Sequence, residues 1–236
     1  MNLLNSFDQL MMGAVNQWVG RSAAFDDAVR ILTDWNFFRA AWLGCFLLWA
    51  WFADRDEHSR LKMIAGIGAI VCATGLSKLL QVLLHFHARP FAVAADLGYN
   101  VPHNVFARWG DGNCFPSDTA TVYFAVAAVI FSVSRAWGWA AFVWVAAVIA
   151  LPRVYLLYHW PSDIIAGCAL GVAMVALFQG NRHAFKLCEK LVRFERQQAA
   201  LFYPILFVVL YQIVDSFHAL EFGAQQFRTV ARLLIA

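Results

Sequence analysis

Read by its apolar and polar positions, the chain divides into six apolar stretches, at roughly 37–53, 62–86, 116–133, 137–152, 161–179 and 200–217, separated by short polar segments. None alternates residue by residue as a barrel strand would, and each approaches the roughly 20 residues that a helix needs to cross hydrocarbon. A bilayer core offers the backbone no water, so every peptide group must be paired within its own segment. The predicted architecture is therefore an all-α integral membrane bundle of about six transmembrane helices. The first, fourth and last stretches are short, and the fourth must tilt, run into the following loop or sit where the bilayer thins.

The flanks follow a different pattern. Residues 1–36 mix Asp8, Arg21, Asp26, Asp27 and Asp34 with Leu3, Leu4, Phe7, Leu10 and Met11, which suits an amphipathic segment lying at the outer interface rather than a cleavable leader. The tail 218–236 reads the same way from Phe227 onward. Three parts are thus expected: an interfacial segment 1–36, a membrane bundle 37–217 and an amphipathic tail 218–236. Both termini then face outward.

Composition sharpens this picture. The 236 residues are 61% hydrophobic and only 14% charged, so each ionisable group beside an apolar stretch calls for a reason. A mean hydropathy of +0.59 excludes an ordinary soluble domain. Lysines and arginines collect in three short loops: Arg55, Arg60 and Lys62; Arg135; and Arg182, Lys186, Lys190, Arg193 and Arg196. By the positive-inside tendency these loops are cytoplasmic, which places the loop 87–115 and the turn 153–160 on the extracytoplasmic face. The net charge of +3 arises mainly from these loops, so no nucleic-acid partner is expected. The five cysteines form neither a disulfide framework nor a CxxC motif.

Candidate chemistry lies in three patches. The first runs from Ser77-Lys78 to Arg89-Pro90; eleven residues are three helical turns, so Lys78 and Arg89 share a face if the helix continues that far. The second, Phe115-Pro116-Ser117-Asp118-Thr119, precedes an apolar helix. Its proline suits the first helical position, and the amides behind it suit an anion. The third is Arg153-x5-His159-x3-Asp163, where Arg153 can hold a phosphate oxygen, His159 can attack phosphorus, and Asp163 can fix the ring tautomer and stabilise the charged imidazole. Pro161 puts Asp163 in the first turn of the next helix. The spacing of His85, His87, His103 and His159 does not suit a metal, and no metal or other cofactor is expected.

Taken in order, the three patches resemble the signatures of the type-2 phosphatidic-acid phosphatase superfamily, the membrane phosphatases related to vanadium haloperoxidases, and the resemblance covers about residues 60–180. It implies a metal-independent phosphatase that forms a phosphohistidine on His159. Arg153 and Asp163 would assist, and Lys78, Arg89, Ser117, Arg153 and the amide of Asp118 would hold the phosphate. The first signature is four residues longer than in the family, which moves Lys78 one turn deeper and brings Gln81 or His85 forward as stand-ins.

The second signature departs at Thr119, where the family carries the histidine thought to protonate the leaving group. General acids typically contribute about 100-fold to 10,000-fold, and threonine cannot supply that. Three explanations stand. His85, His87 or His103 enters as the acid; the leaving group needs no acid, as when a lipid diphosphate releases a lipid phosphate; or the protein binds phosphate without turnover. The Phe-Pro-Ser-Asp form is similar to the undecaprenyl-diphosphate phosphatase branch, which implies a polyprenyl diphosphate substrate at the periplasmic face of a bacterial inner membrane. A phosphotransferase passing the phosphoryl group to a lipid or glycan acceptor shares the same first half-reaction.

Overall fold

The computed structural model describes residues 3–35, 37–53, 56–84, 88–103 and 113–214. His85, His87, the stretch 104–112 of the outer loop and the tail 218–236 lie outside the described residues. Every described element is helical. The main helices are α1 (Leu3–Asn16), α2 (Ala23–Asp34), α3 (Trp42–Ala53), α4 (Glu57–Leu83), the short α5 (Ala94–Leu97), α6 (Asp118–Val133), α7 (Arg135–Trp144), α8 (Leu151–Tyr155), α9 (Pro161–Gly180), α10 (Arg182–Gln197) and α11 (Ala199–Val214). A π-helical turn, Val145–Ala150, joins α7 to α8 into one apolar rod.

Within the described residues each of the six apolar stretches is largely helical, but they differ in reach. Three helical runs, Glu57–Leu83, Arg135–Tyr155 and Pro161–Gly180, are long and apolar enough to cross a membrane, while Asp118–Val133 and Ala199–Ile213 are shorter. The protein is thus a helical membrane protein.

Local chemistry sets the helix starts. Asp56 accepts from the Ser59 amide to cap α4, Ser117 from the Ala120 amide to cap α6, and Asn181 from the His183 and Ala184 amides to cap α10. Pro161 is the first residue of α9, as expected, whereas Pro116 lies before the cap of α6 rather than in its first turn. The loop predicted between the last two apolar stretches is helical: α10 is amphipathic, and it buries Cys188, Val192 and Glu195 while packing against α4. Its positive charge had masked that stripe.

Helices α4, α6 and α9 form the core. Gly167 and Gly171 let α9 approach α6 backbone to backbone: a Cβ at Gly167 would lie 2.5 Å from the Ser117 carbonyl oxygen, and one at Gly171 2.3 Å from that of Thr121. One end of the trio is tied by Gln179, which donates to the Lys62 carbonyl and the Ser132 hydroxyl. The other end carries the three polar patches. The N-terminal segment forms two helices, and both pack against this end of the core, α1 on α8 and α9 and α2 on α8.

Candidate active site

The sequence places three patches at helix ends, and the fold brings them together. Ser77 and Gln81 of α4 both donate to the Pro116 carbonyl, at 3.3 and 2.8 Å. The Ser117 amide donates to the Asp163 carbonyl at 3.1 Å, which ties the start of α6 to the start of α9. Lys78 donates to the Asp118 carboxylate at 3.3 Å. The Asp118 carboxylate also accepts from the Thr119 amide at 2.7 Å and from its hydroxyl at 3.4 Å, so Thr119 is bonded to its own neighbour in the first turn of α6.

Arg89 corrects the expectation of a continuous helical face. Helix α4 ends at Leu83, and Arg89 arrives in extended backbone (φ −62°, ψ 144°) before Pro90. Helix α4 stops well short of Arg89, so the two cations do not share a helical face, and Pro90 keeps Arg89 itself out of the helical region. Arg89 still reaches the third patch, donating to the Tyr158 carbonyl at 3.1 Å.

The turn that carries His159 is built tightly. Leu157 is fully buried with φ +60°, a left-handed conformation that costs a branched residue about 1–2 kcal/mol. It is held by the Phe91 amide, which donates to the Leu157 carbonyl, while the Tyr158 amide donates to the Arg153 carbonyl at 2.9 Å. Strained backbone of this kind persists only where the surroundings over-determine it.

His159 is 1% exposed, and its Nδ1 lies 3.2 Å from the Cys114 carbonyl oxygen and 3.6 Å from an Asp163 carboxylate oxygen. A carbonyl can only accept, so Nδ1 carries the proton and the Nε2 lone pair is left for a reacting atom. The sequence reading gave this tautomer to Asp163 alone. The structure assigns the shorter contact to the Cys114 backbone, and Asp163 also accepts from the Trp160 amide at 2.8 Å. Burial pushes the His159 pKa below its ordinary value and the nearby Arg89 and Arg153 charges add to this, while Asp163 opposes it. The imidazole is therefore neutral at pH 7.

Arg153 is buried, 6% exposed, and its Nε has no hydrogen-bond partner. The Nε of Arg89 is buried in the same state. Guanidinium groups so placed at one imidazole make the site receptive to a planar or tetrahedral anion. Cys114, His159 and Asp163 place one ligand atom each within 4.8 Å of one another. They make a poor metal set, because burial and the neighbouring Asp163 charge push the Cys114 thiol well up, and the thiol donates to the Ala88 carbonyl.

Of the candidate acids, His103 is held elsewhere: its Nδ1 and its amide both lie 3.3 Å from the buried Asp26 carboxylate in α2. His85 and His87 are outside the described residues. Two contributors were missed. The Cys114 carbonyl left no trace, since a backbone oxygen has no side-chain signature. Asp8 did leave one: with Met12, Asn16 and Val19 it lies on the buried stripe of the N-terminal segment, where an acid is out of place.

Fold and site together define a helical membrane protein with a buried imidazole at one end of its core, its pKa held down by burial and by the charges of Arg89 and Arg153. The chain belongs to the PAP2 superfamily, which matches residues 61–184. It is similar to the "Bacitracin transport permease protein BcrC" of Bacillus licheniformis, 30% identical over 176 residues, or 73% of this chain and 80% of that one. It is also similar to the "Putative undecaprenyl-diphosphatase YbjG" of Escherichia coli K12, 37% identical over 127 residues, or 53% of this chain and 58% of that one. No solved structure matches the chain.

Proposed function

We propose that this PAP2 protein is a lipid phosphatase that works through a phosphohistidine on His159, and that its substrate is a polyprenyl diphosphate bound at the extracytoplasmic face. The observation that carries this reading is the His159 ring, protonated at Nδ1 by its contact with the Cys114 carbonyl and flanked by Arg89 and Arg153. The Nε2 lone pair attacks the terminal phosphorus. The bond from that phosphorus to the bridging oxygen breaks, and its electron pair leaves on the lipid phosphate. Water then attacks the phosphohistidine, inorganic phosphate departs and Nε2 recovers its lone pair. Arg153 and Arg89 neutralise the charge that builds on the phosphoryl oxygens. Asp163 stabilises the ring while it is charged.

The diphosphate is favoured by what occupies the position of the acid. The Thr119 hydroxyl is bonded to the Asp118 carboxylate, Lys78 pairs with Asp118 and His103 is held on Asp26. A lipid phosphate leaves without a proton far more readily than an alkoxide does, so the loss of the acid matters least for a diphosphate. The name of the Escherichia coli relative refers to the same substrate class, and the positive-inside tendency of the basic loops supports an outward-facing site.

The test is phosphate release by purified protein, with no added metal, from a polyprenyl diphosphate and from phosphatidic acid. Release is expected from the diphosphate, with His159→Ala lowering it by roughly 10^4-fold or more. Activity that survives that change removes the mechanism. Label that appears on an added lipid or glycan instead of in free phosphate identifies a phosphotransferase, while tight diphosphate binding without turnover identifies a binding or translocating protein.

A further inference from the structure

We propose that Asp8, brought from the N-terminal helix α1, is a positioning residue for phosphoryl transfer: its carboxylate holds the first turn of α9 and so fixes Asp163 and His159. This inference rests on the phosphohistidine reading above. The contact spans 154 residues of chain: Asp8 Oδ1 accepts from the Ser162 amide at 2.8 Å and Oδ2 from the Ser162 hydroxyl at 2.6 Å. Asp8 is 2% exposed, so both bonds lie away from water. A carboxylate is withdrawn from solvent only where such partners compensate it, and a helix N-terminus, with its unpaired amides and dipole, is favourable for a negative charge.

Ser162 stands between Pro161, which has no amide proton, and Asp163. The Ser162 amide is therefore the first donor of α9, and Asp8 takes it. Asp163 in turn binds the Trp160 amide, lies 3.6 Å from His159 Nδ1 and receives the Ser117 amide on its carbonyl. A displacement of this turn thus moves the carboxylate, the imidazole and the link to α6 together. Other bonds hold the N-terminal segment in register: Asn16 exchanges two hydrogen bonds with the Asn100 backbone, and Tyr155, two residues after Arg153, donates to Asp26 with the Trp18 carbonyl also 3.2 Å from its hydroxyl. All of α1 lies outside the residues that the family match covers.

The test uses full-length protein in detergent, with steady-state kinetics on a polyprenyl diphosphate and thermal unfolding measured on the same samples. Asp8→Ala is expected to lower kcat by about tenfold to a hundredfold with KM within about twofold, the signature of misplaced reacting groups in a site that still binds. Asp8→Asn keeps one acceptor oxygen for the amide and should recover much of that loss. Wild-type kcat in folded Asp8→Ala protein, or a loss confined to KM, overturns the proposal. If Asp8→Ala does not fold, Ser162→Ala decides, since it removes only the 2.6 Å bond: a lower kcat at unchanged KM supports the positioning role and wild-type kcat refutes it. Failure of the underlying reading looks different, because the wild type itself then releases no phosphate or His159→Ala remains active.

Discussion

The seam between α6 and α9 and the face presented by α11 are both apolar, yet they are built in opposite ways. At the seam, Gly167 and Gly171 remove side chains so that two backbones touch, and the polar groups of both helix starts fall into register. Helix α11 packs mainly on α10 and borders an apolar cavity of about 340 Å³ lined also by α3, α4 and α6. Leu201, Ile205, Phe207 and Val208 on it are exposed, as suits a surface that lipid tails can cover at no cost. Tolerance differs accordingly: the proposed phosphoryl transfer needs close placement of its reacting groups at the seam, and a face covered by fluid lipid needs none.

The sharpest way to break this contrast is Gly171→Leu, whose Cβ would meet the Thr121 carbonyl oxygen at 2.3 Å. Backbone cannot swing aside as a side-chain tip can, so α9 must leave α6 and carry Asp163 away from Ser117. Turnover should fall by about a hundredfold or more, if the protein folds at all, as measured by gel filtration in detergent and phosphate release. Near-normal turnover would mean that the seam does not position the site.

Protonation gives a graded effect. The neutral imidazole is the reactive form, and burial holds the His159 pKa below its ordinary value, so kcat/KM should stay level as pH falls through the usual histidine range near 6.5 and decline only below it. The same depressed pKa makes a contribution to stability that is complete above the unfolded histidine pKa and is lost as pH falls through the folded one. A pH profile whose acid limb lies above the ordinary value would contradict the buried neutral ring.

The smallest effect belongs to the cavity wall. Leu206→Ala should cost about 1 kcal/mol of stability or less and change kcat by less than about twofold, as read from thermal unfolding and steady-state rates. A loss as large as that of Gly171→Leu would show that α11 is as tightly coupled to the site as α9.

Much of the fold was legible because hydropathy is a local property. Within the described residues each predicted apolar stretch is largely helical, and Pro161 starts α9 where it was expected to. The amphipathic α10 was hidden by its own charges, and the division of 1–36 into two helices was not read. Within the site, the residue types of the third patch pointed to anion handling before any contact was known. Their partners did not show: spacing along the chain suggests Lys78 beside Arg89, whereas in the fold Lys78 pairs with Asp118 and Arg89 comes from beyond the helix end to meet Tyr158.

Hydropathy and residue type along the chain are enough to define a helical membrane protein whose ionisable groups gather at helix ends, with one histidine near an arginine and a carboxylate. These follow from side-chain chemistry and from periodicity along a few turns. Only the tertiary structure decided which oxygen sets the His159 tautomer, where Arg89 enters and what holds the first turn of α9. The reason is physical: a carbonyl such as that of Cys114 is chemically the same at every residue, and a bond such as that between Asp8 and Ser162, 154 positions apart, exists only once the intervening chain has folded to bring the two together.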